Sequence, residues 1–453
     1  MVKVTLLYPY FPQKDNSIFR HPPLGLGYLA SALTARGFSV ELVDGTFRTK
    51  IECVERVKQS NPQIIGIYSM FSMKKTALEF GRLFRGQCDL LVTGGPLPTL
   101  DPSDFLDVFD AAAIGEGEET IVDLANCVER GLPISSVKGI AYKEAGLVKF
   151  TPPREFIQNL DTLQFPSRGL FENSKYKSYY FKRYGYTTTP LISSRGCPFS
   201  CDFCSRPVFG KSFRYRSPEN IVNEVEKIEE IGYERVWFAD DCFTLNSDHL
   251  KQVCDLLAQR GLDIGWECLS RVDTLDREVA QSMKRAGCIR VFFGIESGND
   301  SVLSIMNKRI STNQAQRAVR VAKAAGLQVG AFFIVGYPGE NDKTVLDTVR
   351  FASGLPLDYL SFTLPYPIPG TALYERIKDN GSITINDWEE PKNRALIRHK
   401  LLYGSSFSET KLKFAIGKAQ LQFRTRRLLG DTTYDVVGAP FERITDLAFK
   451  AMR

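Results

Sequence analysis

The chain has 453 residues, a length that predicts two or three domains, and its 43% hydrophobic and 24% charged residues are typical of a folded, soluble protein. A net charge of +6 over this length is too dilute to predict nucleic-acid binding without a local basic patch. The sequence contains no run of 18 apolar residues, so no membrane span is predicted. The amino-terminal MVKVTLLYPYF lacks the pattern of a signal peptide, and we therefore expect a cytoplasmic protein.

Residues 1–130 alternate short apolar strands with amphipathic helices. This alternation predicts a parallel sheet covered on both faces, in a Rossmann-like domain. Ligands of such sheets lie at the carboxyl ends of the strands, near the point where the strand order reverses. The predicted strands span 3–8, 39–44, 64–69, 89–93 and 111–115, and the predicted helices span 25–36, 50–59 and 75–86, with a further helix opened by GEGEET.

Residues 131–185 have the composition of a connector, beginning with a predicted β-hairpin in KGIAYKEAGLVKF. The end of this segment is rich in aromatic residues, which either wall a site for a large apolar or planar substrate or pack between domains. These residues are Phe171, Tyr176, Tyr179, Tyr180, Phe181 and Tyr184.

A second alternation of strands and helices occupies residues 186–385. Six βα units predict a partial, TIM-like (β/α)6 barrel, short of the full eight. The predicted strands span 187–194, 234–240, 263–270, 289–295, 328–335 and 359–365. Five of the helices between them are predicted to end at a glycine, the residue that adopts a left-handed cap most easily: Gly232, Gly261, Gly287, Gly326 and Gly354.

The carboxy-terminal region, residues 386–453, is helical in pattern and basic. Arg424, Arg426 and Arg427 lie close together in it. Two interpretations stay open, a solvated helix face or a docking surface for a substrate or a partner.

Three of the ten cysteines form a cluster in a segment that follows directly on the first strand of the second alternation. The segment reads RGCPFSCDFC and contains Cys197, Cys201 and Cys204. The cytosol keeps thiols reduced, so disulfides are not expected. A structural zinc site would need four ligands, usually as two separated pairs. Three thiolates can instead hold a [4Fe–4S] cluster with one iron open to a substrate or cosubstrate.

The spacing of the cysteines, with the aromatic Phe203 before the last one, resembles the CxxxCxΦC signature of the radical S-adenosylmethionine superfamily. The resemblance implies that Cys197, Cys201 and Cys204 bind a [4Fe–4S] cluster whose open iron chelates S-adenosylmethionine. It also implies that one electron, from a flavodoxin- or ferredoxin-type donor, cleaves the sulfonium to give a 5′-deoxyadenosyl radical.

The same resemblance implies roles for polar residues at successive strand ends. It implies that Asp240 or Asp241 holds the methionine ammonium and that Arg271 pairs bidentately with the methionine carboxylate. It also implies that Glu296 binds the ribose hydroxyls, and that the backbone near Tyr337 and Tyr366 contacts the adenine.

The amino-terminal domain resembles the cobalamin-binding domain, whose signature is DxHxxG, then SxL, then GG. Ser69 and the pair Gly94 and Gly95 match the later elements. Leu24 stands where the axial histidine would be, which implies a cobalamin whose lower face has no protein nitrogen, with the neighbouring His21 as an off-register alternative. The resemblance also implies that the loop containing Gly115 and Glu116 passes close to the corrin and its nucleotide tail.

The leading hypothesis is therefore a cobalamin-dependent radical enzyme that methylates an unactivated carbon of a small-molecule or biosynthetic intermediate. In that mechanism one S-adenosylmethionine methylates cobalt and a second supplies the radical. The runner-up is a ring-forming or oxidative enzyme similar to the anaerobic tetrapyrrole cyclases, without net methyl transfer. A methylthiotransferase would need a second cluster in the amino-terminal domain, and a cobalamin-binding sensor would leave the cysteine loop without a purpose.

Overall fold

The computed structural model describes residues 2–11, 20–204, 209–379 and 401–452. The contacts among them divide into two compact units. The first unit contains the described residues up to Gly196 together with residues 209–220, and the second contains residues 197–204, 221–379 and 401–452. The cysteine loop therefore belongs to the second unit, whereas the residues that flank it in the chain belong to the first.

The strands follow the predicted positions to within a few residues in both alternations. In the described residues they are β1 (Lys3–Tyr8), β2 (Ser39–Asp44), β3 (Ile64–Tyr68), β4 (Leu90–Gly94), β5 (Ala111–Ala113), β6 (Ile140–Glu144), β7 (Leu147–Phe150), β8 (Thr188–Leu191), β9 (Ser194–Arg195), β10 (Arg214–Tyr215), β11 (Arg235–Phe238), β12 (Gly265–Ser270), β13 (Cys288–Glu296), β14 (Gln328–Ile334) and β15 (Tyr359–Thr363).

The helices lie between the strands and fill the carboxy-terminal region. They are α1 (Leu24–Thr34), α2 (Lys50–Ser60), α3 (Lys74–Phe84), α4 (Pro96–Leu100), α5 (Glu118–Arg130), α6 (Asn173–Tyr184), α7 (Pro218–Glu230), α8 (Ser247–Arg260), α9 (Arg277–Arg285), α10 (Asp300–Ile305), α11 (Thr312–Ala324), α12 (Asp342–Gly354), α13 (Ala372–Asp379), α14 (Glu409–Leu429), α15 (Asp431–Val437) and α16 (Ala439–Ala451).

The first sheet has the order β2-β1-β3-β4-β5-β6-β7, and β1 to β5 pair in parallel. The order reverses between β1 and β3, which is the point where ligands of doubly wound sheets bind. Apolar residues of α1 and α5 cover one face, and those of α2 and α3 cover the other. The Rossmann-like prediction is confirmed. The predicted hairpin forms β6 and β7, which pair antiparallel and extend this sheet through β5.

The second sheet contains β8 and β11 to β15 in chain order, and the pairs from β11 to β15 are all parallel. This arrangement confirms the six-stranded partial barrel. Parallel strands bring their carboxyl ends to one rim, so the residues that follow β11 to β15 share that rim. Four of the five predicted helix-ending glycines adopt the left-handed conformation, and only Gly354 does not, since it is the last residue of α12 itself.

The aromatic stretch near α6 packs within the first unit. The Tyr176 hydroxyl donates to Asp44 Oδ2 at 2.6 Å, Phe171 belongs to the core under α1, and Tyr180 is buried against His21. Phe181 is the exposed member, with 59% of its surface accessible. Packing therefore accounts for most of these residues.

The predicted helical tail is confirmed where the structure describes it, as α14 to α16, whereas residues 386–400 lie outside the described residues. Lys418 of α14 is buried and pairs with Asp446 of α16. Arg426 pairs with Asp435 at 2.9 Å, and Arg424 is exposed. In the part of the chain that the structure describes, no helix has the length and apolar character that a membrane crossing requires.

Candidate functional site

The cysteine loop is held by backbone hydrogen bonds from two other segments of the second unit. The Asp202 amide donates to the Met306 carbonyl at 3.1 Å, and the Leu373 amide donates to the Asp202 carbonyl at 3.0 Å. The Asp202 carboxylate also pairs with Arg376 at 2.5 Å. These contacts fix the middle of the loop. The three cysteines lie outside helices and strands, and all three are half-buried.

The aromatic residue of the motif packs against the core of the second unit. Phe203 packs edge-to-face on Tyr337, with ring centroids 6.4 Å apart, and the Lys308 ammonium lies 5.8 Å from its centroid. Next to Lys308, the Asn307 side chain donates to the Ser200 carbonyl at 2.7 Å. The turn containing Met306, Asn307 and Lys308 thus helps to hold the cysteine loop in place.

The donor set of the cysteine loop fits a cluster better than a structural zinc ion. A structural zinc site takes four ligands. The loop offers three cysteines on one short segment, which suits a [4Fe–4S] cluster that binds each cysteine at a separate iron.

Gly196, which precedes Cys197, is required by the backbone. Its φ is +86°, and a Cβ at this position would lie 2.2 Å from the Ser212 carbonyl oxygen. No other residue type fits such a contact without moving the chain. The entry to the cysteine loop is therefore determined by close packing of backbone on backbone.

The predicted S-adenosylmethionine residues follow the carboxyl ends of five neighbouring strands and lie on one rim. Asp240, Arg271 and Glu296 are buried, and Asp241 is exposed. Tyr337 is fully buried and Tyr366 is half-buried. The fold therefore brings the predicted residues of successive strand ends to one rim. Their roles toward S-adenosylmethionine stay predictions.

Arg271 makes the bidentate pairing that was expected for it, but with a protein carboxylate. Its Nε and one terminal nitrogen each donate to Asp273 at 2.9 Å, and the same terminal nitrogen donates to the Lys308 carbonyl at 3.0 Å. Its guanidinium also lies 3.5 Å from the ring centroid of Phe199 in the cysteine loop. These contacts show Arg271 supporting the loop.

Glu296 has a strained backbone conformation. Its φ is +72°, unusual for a residue with a side chain, and the pairing of β13 with β14 shifts register at this point. Its carboxylate pairs with Lys308 at 2.9 Å, and both side chains are buried. Sequence reasoning missed Lys308, because a single lysine in a turn after α10 carries no periodic signal.

The predicted cobalamin residues meet at the carboxyl edge of the first sheet. The Ser69 amide donates to the Gly94 carbonyl at 2.8 Å, and Gly95, with φ +112°, leaves no room for a Cβ against the Ser69 carbonyl at 2.7 Å. Thr99 Oγ1 donates to the Gly95 carbonyl and accepts from the Gly115 amide. The Ser69 hydroxyl is buried and has no partner among the described residues, which fits a ligand at this edge.

Leu24 is the first residue of α1 and is buried, with no atom that could donate to a metal. Burial lowers the pKa of His21 to about 4, and both ring nitrogens lie near the Tyr180 hydroxyl, at 3.2 and 3.3 Å. Sequence reasoning also missed the tyrosines at this edge. Tyr8 and Tyr68 end β1 and β3, with ring centroids 5.4 Å apart.

Glu116 lies in the loop between β5 and α5 and is buried. Its carboxylate accepts from Arg195 at 2.8 Å, from Arg214 at 3.0 Å and from the Ile157 amide at 2.7 Å. Burial opposes its ionisation, but the hydrogen bonds and charges of Arg214 and Arg195 outweigh burial and hold the pKa below its ordinary value. The carboxylate is thus committed to protein partners.

Two family models match the chain, that of the radical SAM superfamily over residues 191–352 and that of the B12 binding domain over residues 15–125. An uncharacterized methyltransferase of Pyrococcus horikoshii is 35% identical over 86% of this chain and 86% of its own length. The anaerobic magnesium-protoporphyrin IX monomethyl ester cyclase of Cereibacter sphaeroides is 27% identical over 90% of this chain and 70% of its own.

Among solved structures, the chain is similar in fold to the radical S-adenosylmethionine methyltransferase TsrM from Kitasatospora setae, with a TM-score of 0.75 and 18% identity. That likeness covers 93% of this chain and 88% of the other. Both domains, in the predicted order, are therefore present along one chain. The chain belongs to the cobalamin-dependent family of radical S-adenosylmethionine enzymes.

Proposed function

We propose that this protein methylates an unactivated carbon of a small-molecule or biosynthetic intermediate. The observation that carries the proposal is the presence, in one chain, of a three-cysteine loop at the rim of a partial barrel and a sheet edge with an unpartnered buried Ser69 hydroxyl. The similarity to a methyltransferase over 86% of both chains supports methyl transfer as the outcome.

The cluster and S-adenosylmethionine would be held by residues of the second unit. Cys197, Cys201 and Cys204 would bind three irons, and Asp240 or Asp241 would accept hydrogen bonds from the methionine ammonium. When bound, the cluster supplies the electron that cleaves S-adenosylmethionine. Glu296 already has one oxygen on Lys308, so its second oxygen is the one that suits a ribose hydroxyl.

Cobalamin would be held at the edge formed by Ser69, Gly94, Gly95 and Gly115. When bound, it supplies the carrier that takes a methyl group from one S-adenosylmethionine and gives it to carbon. Leu24 would lie beside the cobalamin as an apolar contact and would offer cobalt no side-chain nitrogen. The backbone of Glu116 is the part of this residue that we assign to cobalamin, because its carboxylate is occupied.

We further propose a flavodoxin- or ferredoxin-type electron donor and a large, apolar or planar substrate. The substrate proposal is supported by the similarity to the anaerobic magnesium-protoporphyrin IX monomethyl ester cyclase, because a magnesium porphyrin is a large planar molecule.

A second candidate is a radical cyclase or oxidase without net methyl transfer, favoured by the similarity to the anaerobic magnesium-protoporphyrin IX monomethyl ester cyclase. Methylation consumes two molecules of S-adenosylmethionine for each product. It yields S-adenosylhomocysteine together with methionine and 5′-deoxyadenosine. Radical ring formation without methyl transfer yields no S-adenosylhomocysteine.

The experiment compares cells that express the wild type with cells that express Cys201→Ala, both fed methionine with a deuterated methyl group. Methylation predicts a metabolite, specific to the wild type, in which a CD3 group replaces one hydrogen of the substrate. A wild-type-specific product that has lost hydrogen or gained oxygen, without label, would establish the cyclase instead.

A further inference from the structure

Four buried charges form one network in the first unit. Arg195 donates to Glu116 at 2.8 Å and to Glu118 at 2.5 Å, and Arg214 donates to Glu116 at 3.0 Å. None of the four side chains is more than 8% exposed. Two carboxylates balance two guanidinium groups, so the network is neutral only while it is complete.

The two arginines bracket the cysteine loop in the chain. Arg195 ends β9 and precedes Gly196 and Cys197, whereas Arg214 begins β10, and the two strands pair antiparallel with Arg195 opposite Arg214. The loop therefore leaves and returns through a two-residue ladder. Such a short ladder has little stability of its own.

Glu116 is the residue that joins both sides of this ladder. Its Oε1 accepts from Arg195 and Arg214, and its Oε2 accepts from Arg214 and the Ile157 amide. The Glu118 carboxylate, by contrast, accepts from Arg195 alone among the described residues. Arg214 also donates to the Ile157 and Phe209 carbonyls, which ties the returning strand to the same centre.

We propose that Glu116 is a positioning residue for the iron–sulfur cluster, acting through Arg195 and Arg214, although it lies in the cobalamin-binding domain of the sequence. It holds the two ends of the cysteine loop at the separation that the cluster requires. The inference rests on the cluster that the proposed function assigns to this loop, and it does not require cobalamin to bind.

The test measures iron and corrin separately in Glu116→Gln after anaerobic reconstitution with iron, sulfide and hydroxocobalamin. The variant removes the charge of Glu116 and keeps its size. We expect it to lose iron to a chelator several-fold faster than the wild type, and by the same factor when hydroxocobalamin is left out of the reconstitution. The electron paramagnetic resonance signal of the reduced cluster should also broaden, because the thiolates are held less uniformly.

Two further variants keep the test decisive. Glu119→Gln is the matched control, because Glu119 is 62% exposed and pairs only with Arg154 among the described residues. It should keep iron like the wild type. Glu118→Gln removes one contact of Arg195 and should give an intermediate rate of iron loss, which serves if Glu116→Gln does not fold.

Opposite results would overturn the inference. If Glu116→Gln and Glu118→Gln keep iron like the wild type, Glu116 does not position the cluster. If Glu116→Gln loses corrin and keeps iron, Glu116 acts on cobalamin. A wild type that holds iron but no corrin would contradict the proposed function alone and leave the iron comparison valid.

Discussion

The carboxylate of Glu296 lies 2.9 Å from the ammonium of Lys308, and neither side chain is more than 10% exposed. Burial disfavours the charged lysine, but the charge and hydrogen bond of Glu296, together with the charge of the neighbouring Cys201, outweigh burial and hold the pKa of Lys308 above its ordinary value. The pair thus stays ionised inside the barrel rim. It joins the end of β13 to the turn that supports the cysteine loop.

Breaking this pair should be costly, because either single variant leaves one buried charge without a partner. We expect Lys308→Met to lower the free energy of unfolding by about 3–5 kcal/mol. The double variant Lys308→Met with Glu296→Gln should cost clearly less than the sum of the two single variants. Urea unfolding of the cluster-free protein measures all three.

The matched control for that series is Lys413→Met, which breaks the half-exposed pair of Lys413 with Glu409 on α14. Surface pairs of this kind contribute less than about 1 kcal/mol. Additive effects of the Lys308 and Glu296 variants would contradict the account of a coupled buried pair.

Gly196→Ala should disrupt the cysteine loop. The added Cβ would meet the Ser212 carbonyl at 2.2 Å, so the chain that enters the loop must move. Gly185→Ala is the control, since Gly185 has a similar φ of +76° but no atom within 4 Å of an added Cβ. Both variants incur left-handed strain of about 1 kcal/mol. Only Gly196→Ala should also lose bound iron, and equal iron content in the two would refute this explanation of Gly196.

The buried carboxyl of Glu340 should make the free energy of unfolding depend on pH. It accepts from the Gly336 and Tyr337 amides at 2.7 and 2.8 Å, while its other oxygen is buried without a partner among the described residues. Burial outweighs these bonds and raises its pKa to about 7 from an ordinary value of 4.5. Between these values the folded state keeps a proton that the unfolded state has lost, so stability falls as pH rises through this window.

The total loss of stability should be about 3.5 kcal/mol, at about 1.4 kcal/mol for each pH unit. Glu340→Gln should remove most of this dependence, whereas the exposed control Glu375→Gln should keep it. Thermal unfolding from pH 5 to pH 8 measures the slopes. Parallel slopes for the wild type and Glu340→Gln would show that Glu340 is ionised throughout.

The leucine at position 24 should affect the electron paramagnetic resonance spectrum of bound cobalamin. With no imidazole at this position, the Co(II) form should show no splitting from an axial protein nitrogen. His21 is stacked on Tyr180, with ring centroids 5.6 Å apart, so it is already engaged. Nitrogen splitting in the wild type that disappears in His21→Ala would assign His21 as the ligand. Leu24→His should introduce the splitting.

Much of the fold and of the candidate site follows from short-range pattern. The strands and helices are spaced by local periodicity, and parallel strands must bring their carboxyl ends together, so Asp240, Arg271 and Glu296 could be placed on one rim. The cysteine loop is contiguous in the chain, and its chemistry is readable from spacing alone.

The pairings between distant residues could not be predicted in this way. Glu116 and Arg195 are 79 residues apart, and Tyr176 and Asp44 are 132 apart. Each side chain alone fits several environments, and only the packing of the whole unit selects its partner. Arg271 pairs with Asp273, which lies only two residues away, but periodicity does not single out this contact, and the role of Arg271 toward a ligand carboxylate stays a prediction.

The iron and corrin content of the full chain, purified anaerobically with hydroxocobalamin, decides whether this protein holds both cofactors. We predict about four irons for each chain, as one [4Fe–4S] cluster, together with one corrin. Cys201→Ala should lose the iron and keep the corrin, and Cys88→Ala, which changes a half-buried cysteine elsewhere, should keep both. A wild-type chain without corrin would refute the cobalamin-dependent mechanism, and about eight irons for each chain would refute a single cluster.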